Sequence, residues 1–152
     1  MVYTLFKFLH VAGAIVWVGG VIMLTVLNAR LASSGDAGDG QAALARTSET
    51  LGPILVGPAA VLTLVAGVAA AGIGGSMGAF WTTYGFVGVL ISAGLASTVI
   101  RRTTNTLQVA LTEPAAGGTD LSTLRTRLTT LNLVNVFVLL SVVAAMVFKP
   151  TL

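Results

Sequence analysis

The chain has 152 residues, 55% of them apolar and only 9% charged, with a mean hydropathy of +0.95, where a soluble domain carries roughly 25% charged residues. That composition excludes a water-solvated globule, and the lack of cysteine excludes disulfides, thiolate metal sites, iron–sulfur clusters and covalent c-type haem. The net charge of +3 is carried by arginines that flank apolar runs rather than by a basic stripe interleaved with aromatics, so nucleic acid is set aside as a partner.

A hydrocarbon core about 30 Å thick takes roughly 20 helical residues, and four stretches are long enough. The first, near 5–27, is interrupted only by Lys7 and His10. The stretch 50–100 has no charge and is too long for one span, and glycines at 72, 74, 75 and 78 favour a turn there. Two spans result, near 53–73 and 80–100. The fourth, near 131–148, is stopped by Lys149-Pro150.

The loops 30–50 and 101–128 hold all six arginines, while the opposite side has only Lys7 and Lys149. Positively charged flanks stay on the cytoplasmic side, so both termini are expected on the non-cytoplasmic side. A cleaved signal peptide is the rival reading of the first span. Lys7 lies inside the apolar run and Arg30 follows it at once, which speaks against cleavage. The expected fold is therefore all-α, a single antiparallel four-helix bundle over 1–152 that crosses a bacterial inner (plasma) membrane as a multi-pass protein in contact with the lipid bilayer. The loops are expected to be partly helical over 42–51 and from Leu121 onward with Asp120 as cap, and flexible over 33–40.

His10 is the only histidine and lies about 4.5 Å deeper than Lys7 along a helix. At 100° per residue His10, Gly13, Trp17 and Gly20 share a stripe about 80° wide. The glycines admit a backbone or a flat ligand, and Trp17 offers a planar wall with one donor. An intramembrane ionisable residue is a functional candidate by default, set against plain helix packing. Met146 sits about one turn deeper than Lys149. An imidazole and a thioether could be the axial ligands of a b-type haem, or with Met77 could form a soft site for Cu(I). With one histidine per chain, a bis-His haem would need a homo-oligomer. Lys7 and Lys149 read as snorkelling side chains, and Tyr3, Trp81 and Tyr84 as interfacial anchors.

Asn28, Asn132 and Asn135 are expected to align spans one and four by hydrogen bonds. Gly57, Gly67, Gly85, Gly88 and Gly94 are expected at tight helix contacts. All five acidic residues, Asp36, Asp39, Glu49, Glu113 and Asp120, lie in the loops. A cation-driven transporter usually needs buried carboxylates, so that class is disfavoured. Metalloprotease, nucleotide-binding and Ser/His/Asp motifs are missing from the sequence.

The segment from Phe8 to Gly20 (FLHVAGAIVWVGG), together with Met146-Val147-Phe148-Lys149-Pro150, resembles a four-span branch of the bacterial membrane families grouped around the copper-resistance protein CopD. The first-helix histidine and tryptophan are also similar to those of HemJ-type protoporphyrinogen oxidases. The first resemblance implies copper handling through His10, Met77 and Met146; the second implies His10 as a haem ligand. The chain departs from the HemJ-type pattern in having no histidine or basic residue in spans two and three. Three functions follow as expectations: a haem- or redox-associated membrane protein with His10, Gly13, Trp17, Gly20 and Met146 around the cofactor, a non-enzymatic subunit or assembly factor that packs on other membrane proteins, and copper handling.

Overall fold

A computed structural model of the chain describes residues 1–33, 47, 50–112 and 121–150. Every regular element among them is helical. Helix α1 is Val2–Ser33 and α2 is Gly57–Ile73, which a π-helical turn, Gly52–Val56, enters without a break. Helix α3, Phe80–Gly94, continues through a π-helical segment, Leu95–Ile100, into α4, Arg101–Thr112, and α5 is Leu121–Phe148.

Four stretches are long and apolar enough to cross a membrane: Val2–Arg30, Ile54–Ile73, Phe80–Leu107 and Leu121–Phe148. They coincide with the four expected spans and extend three of them. Only 17–22% of an apolar 18-residue stretch within each is buried in the chain, and large side chains such as Leu90 and Phe137 face outward. That is the pattern of a protein whose outer surface is solvated by lipid.

The turn between α2 and α3 falls where the glycines place it. Ser76 N–H donates to Ala71 O at 2.9 Å and Gly75 N–H to Gly72 O at 3.4 Å, the paired bonds that close a helix C-terminus. Gly75 has φ +67°, a left-handed conformation that a side chain disfavours. The Thr82 hydroxyl then donates to Ser76 O at 2.7 Å and ties the start of α3 to the turn.

Helix α1 packs extensively along α2, α3 along α5, and α1 against α5, whereas α2 and α3 meet sparsely. Contacts that descend α1 ascend α2. Tyr3 faces Gly74, His10 faces Gly67, Gly13 faces Thr63 and Ala59, and Gly20 faces Val56. The buried core is a cluster of Trp17, Val21, Ala59 and Leu139, where α1, α2 and α5 converge. On the other seam Gly85 and Gly88 of α3 receive Met146 and Val142 of α5.

Several expectations change here. The region 101–112 is the helix α4, packed on α5, where the sequence reading has only loop; Thr103, Leu124 and Leu128 are buried. Asn135 pairs with span three rather than span one: the Ser92 hydroxyl donates to Asn135 Oδ1 at 2.6 Å, with both residues buried. A side chain on α5 finds whichever neighbour carries a polar partner at its depth, and α3 does. The Tyr84 hydroxyl reaches Ser141 Oγ at 3.1 Å, so Tyr84 also joins α3 to α5. Gly67, Gly85 and Gly88 lie at helix contacts as expected, but a Cβ on Gly94 would meet nothing within 4 Å and one on Gly57 only Gly52 O. Ser33, expected in a flexible connection, closes α1 instead; Asp120, 34–40 and most of 42–51 lie outside the described residues.

Candidate functional site

The face of α1 that turns toward α2 is the one the 100° rule selects. Gly13 is buried with Thr63 and Ala59 against it: a Cβ there would lie 2.7 Å from Thr63 Oγ1 and 3.1 Å from Thr63 N. One turn nearer the chain ends, the space between the helices is filled by the His10 ring instead. A Cβ on Gly67 would lie 2.7 Å from His10 Nδ1 and 2.9 Å from Cε1. Small residues four apart on α2, Ala59, Thr63 and Gly67, thus bring its backbone up to α1 and leave one slot for an imidazole.

In that slot His10 Nδ1 is 2.7 Å from Thr63 O. A carbonyl only accepts, so Nδ1 carries the proton and donates. A neutral imidazole then keeps its lone pair on Nε2. Metal-ligating histidines are commonly oriented in this way, with the other ring nitrogen donating to a backbone carbonyl. The same bond also serves plain helix packing; what distinguishes the site is the space beside it.

That space is a cavity of about 500 Å³ in the half of the bundle nearer the termini, within the usual range of roughly 300–1,000 Å³ for small-molecule sites. His10 and Trp17 from α1 and Met146 from α5 are all among the residues that line it. Gly13 and Gly20 are not in its wall; they face Thr63 and Val56 of the packed helix. Met77 is exposed outside the cavity, so it does not join His10 and Met146. Met146 also packs, its methyl seated in the notch that Gly85 provides.

The wall holds residues that the sequence reading assigned elsewhere or passed over. Trp81 lines the cavity with Lys149 Nζ 5.3 Å above its ring centroid, close enough for a cation–π contact. Lys7 lines it as well. The stripe of small residues on α2 was the available signal for Thr63 and Gly67, whereas the approach of Trp81 to Lys149 depends on how spans three and four pair. Among the described residues no group of three or more His, Cys, Asp or Glu side chains could hold a metal ion. His10 and Met146 bring an imidazole and a thioether to the lining, beside the polar groups of Tyr3, Lys7, Ser76, Thr82 and Lys149.

These features define a multi-pass helical membrane protein with a partly open, mostly apolar cavity toward one end. Comparisons with protein-family models, curated proteins and solved structures found no match for the chain.

Proposed function

We propose that the chain is an antiparallel four-helix bundle of a bacterial inner membrane, with both termini extracytoplasmic, that holds a b-type haem in its outer-half cavity through His10. The orientation rests on the six arginines in 30–50 and 101–128, against Lys7 and Lys149 at the other end. The haem reading rests on one observation above the others: His10 donates Nδ1–H to Thr63 O at 2.7 Å beside a cavity of about 500 Å³. That bond orients the ring and keeps Nε2 as the basic nitrogen.

The donors suit the group. His10 and Met146 would hold it, with Trp17 as an apolar wall, and histidine–methionine ligation raises a haem's potential. Bound haem would supply one-electron redox chemistry. The chain's own part is to exclude water with Trp17, hold the imidazole with Thr63 and Gly67, and seat Met146 against Gly85. The likeness to HemJ-type and CopD-type first helices supports a cofactor at His10 without specifying a reaction. Copper is the weaker reading because Met77 stands outside the cavity.

The test is the absorbance spectrum and metal content of the protein purified in mild detergent. A Soret band that disappears in His10→Ala is expected. A colourless wild type without iron overturns the haem reading; copper in its place would return the site to the CopD-like alternative, and a stoichiometric complex unaffected by His10→Ala would favour a structural subunit.

A further inference from the structure

The cavity is chemically graded along the bundle. Its deep end is apolar, with Trp17, Val89 and Leu140 in the wall, while Lys7 and Lys149 stand at the end that carries the termini. Lys7 lies about one helical turn beyond His10. Both lysines are exposed, and neither has a carboxylate partner among the described residues, since all five acidic side chains of the chain belong to 30–50 and 101–128. The cavity therefore ends in cationic charge that no side chain of the helices offsets.

Lys149 does not simply extend from the last helix. Its backbone is left-handed, φ 45°, a conformation uncommon for a residue with a side chain. Its N–H still donates to Ala145 O at 2.9 Å, and Nζ lies over Trp81 in the cavity wall. A lysine that only snorkelled would follow the helix axis out to the headgroups; this one is turned across the cavity. On one flank the walls are α2 and α3, which meet sparsely, and a sparse seam facing lipid would admit a ligand from the bilayer rather than from water.

We infer that the occupant of this cavity is an anionic amphiphile, taken up from the membrane, whose apolar body lies beside Trp17 and whose carboxylate is held by Lys7 and Lys149. The inference rests on the reading of the cavity as a ligand site but not on iron. A porphyrin with its propionates and a fatty acid share this chemistry, and the experiment separates them.

The probes are haemin against haemin dimethyl ester, followed by absorbance, and 9,10-dibromostearic acid against its methyl ester, followed by quenching of Trp17 and Trp81. Wild type and the K7Q/K149Q variant are titrated in non-ionic detergent at a pH that keeps the acids ionised. The expected result for wild type is that at least one acid binds tighter than its ester by on the order of tenfold, a preference lost in K7Q/K149Q while ester affinity is unchanged. The unchanged ester affinity shows that the variant is folded. Equal affinity for acid and ester in both pairs, or a preference that survives in K7Q/K149Q, overturns the inference. The two readings fail separately: preference for the bromo acid without a His10-dependent Soret band removes haem and leaves the anionic amphiphile, and a His10-dependent Soret band with acid and ester bound equally in both pairs does the reverse.

Discussion

Gly67 and His10 are a matched pair, one side chain omitted so that another can lie flat on the neighbouring helix. A Cβ on Gly67 would come within 2.7 Å of Nδ1, the atom bonded to Thr63 O. The imidazole cannot yield without losing that bond, because the contact is to the ring edge that makes it. The same glycine therefore makes room both for the ring and for its bond to Thr63 O.

Gly67→Ala is expected to displace the ring and to lower stability by about 1–3 kcal/mol, the usual cost of overpacking, read by unfolding in detergent. Gly94→Ala, at the end of α3 and outside the cavity lining, is the control. A Cβ there meets nothing within 4 Å, so its effect should stay within about 0.5 kcal/mol. A haem-loaded protein should also shift or lose its Soret band in Gly67→Ala and keep it in Gly94→Ala.

The two glycine notches on α3 should respond unequally. A Cβ on Gly88 would collide with Val142, which is β-branched and restricted in χ1, while one on Gly85 would collide with the end of the flexible Met146 side chain. Gly88→Ala is expected to cost about 1–3 kcal/mol and Gly85→Ala less. Val142→Ala should rescue Gly88→Ala, giving a favourable coupling energy in a double-mutant cycle. Independent, additive effects would mean that α3 and α5 do not meet there.

Ser92 and Asn135 form a buried polar pair at 2.6 Å, and removing one partner should be worse than removing both. Ser92→Ala removes the hydroxyl that Asn135 accepts from and is expected to cost about 0.6–1.7 kcal/mol, from the average to the largest value that double-mutant cycles give for hydrogen bonds between membrane helices. Ser92→Ala combined with Asn135→Leu should recover most of the loss, since apolar replacement of both groups is nearly neutral. Thermal unfolding of the two variants checks the order.

What could be read in the sequence was what depends on one helix at a time. Span lengths, the glycine turn and the stripe from His10 to Gly20 follow from hydropathy, backbone freedom and a 100° step. Even the shared depth of His10 and Met146 needed only counting from Lys7 and Lys149. What could not be read was which helix each face meets. Asn135 announces that it needs a partner but not that Ser92 supplies it, and nothing local tells that Gly67 lies under His10. Helix α4 was hidden because its Thr- and Asn-rich start carries weak helix propensity; its packing on α5 supplies what propensity does not. Trp81 looks like an interfacial anchor until Lys149 is found above it.

The orientation can be tested directly because the chain has no native cysteine to give background labelling. Gly78 lies in the turn between α2 and α3 and is exposed, and a Cβ added there would meet nothing within 4 Å; Thr106 is exposed on α4. With the arginine-bearing segments cytoplasmic, Gly78→Cys should react with a membrane-impermeant maleimide in intact cells, and Thr106→Cys only after permeabilisation. The glycine turn and α4 lie at opposite ends of α3, about 39 Å apart over the 26 steps from Phe80 to Thr106 at about 1.5 Å per residue, so they cannot share a side if α3 spans the bilayer. The reverse labelling pattern would move the cavity, Lys7 and Lys149 to the cytoplasmic face, and equal labelling of both sites in intact cells would mean that α3 does not cross.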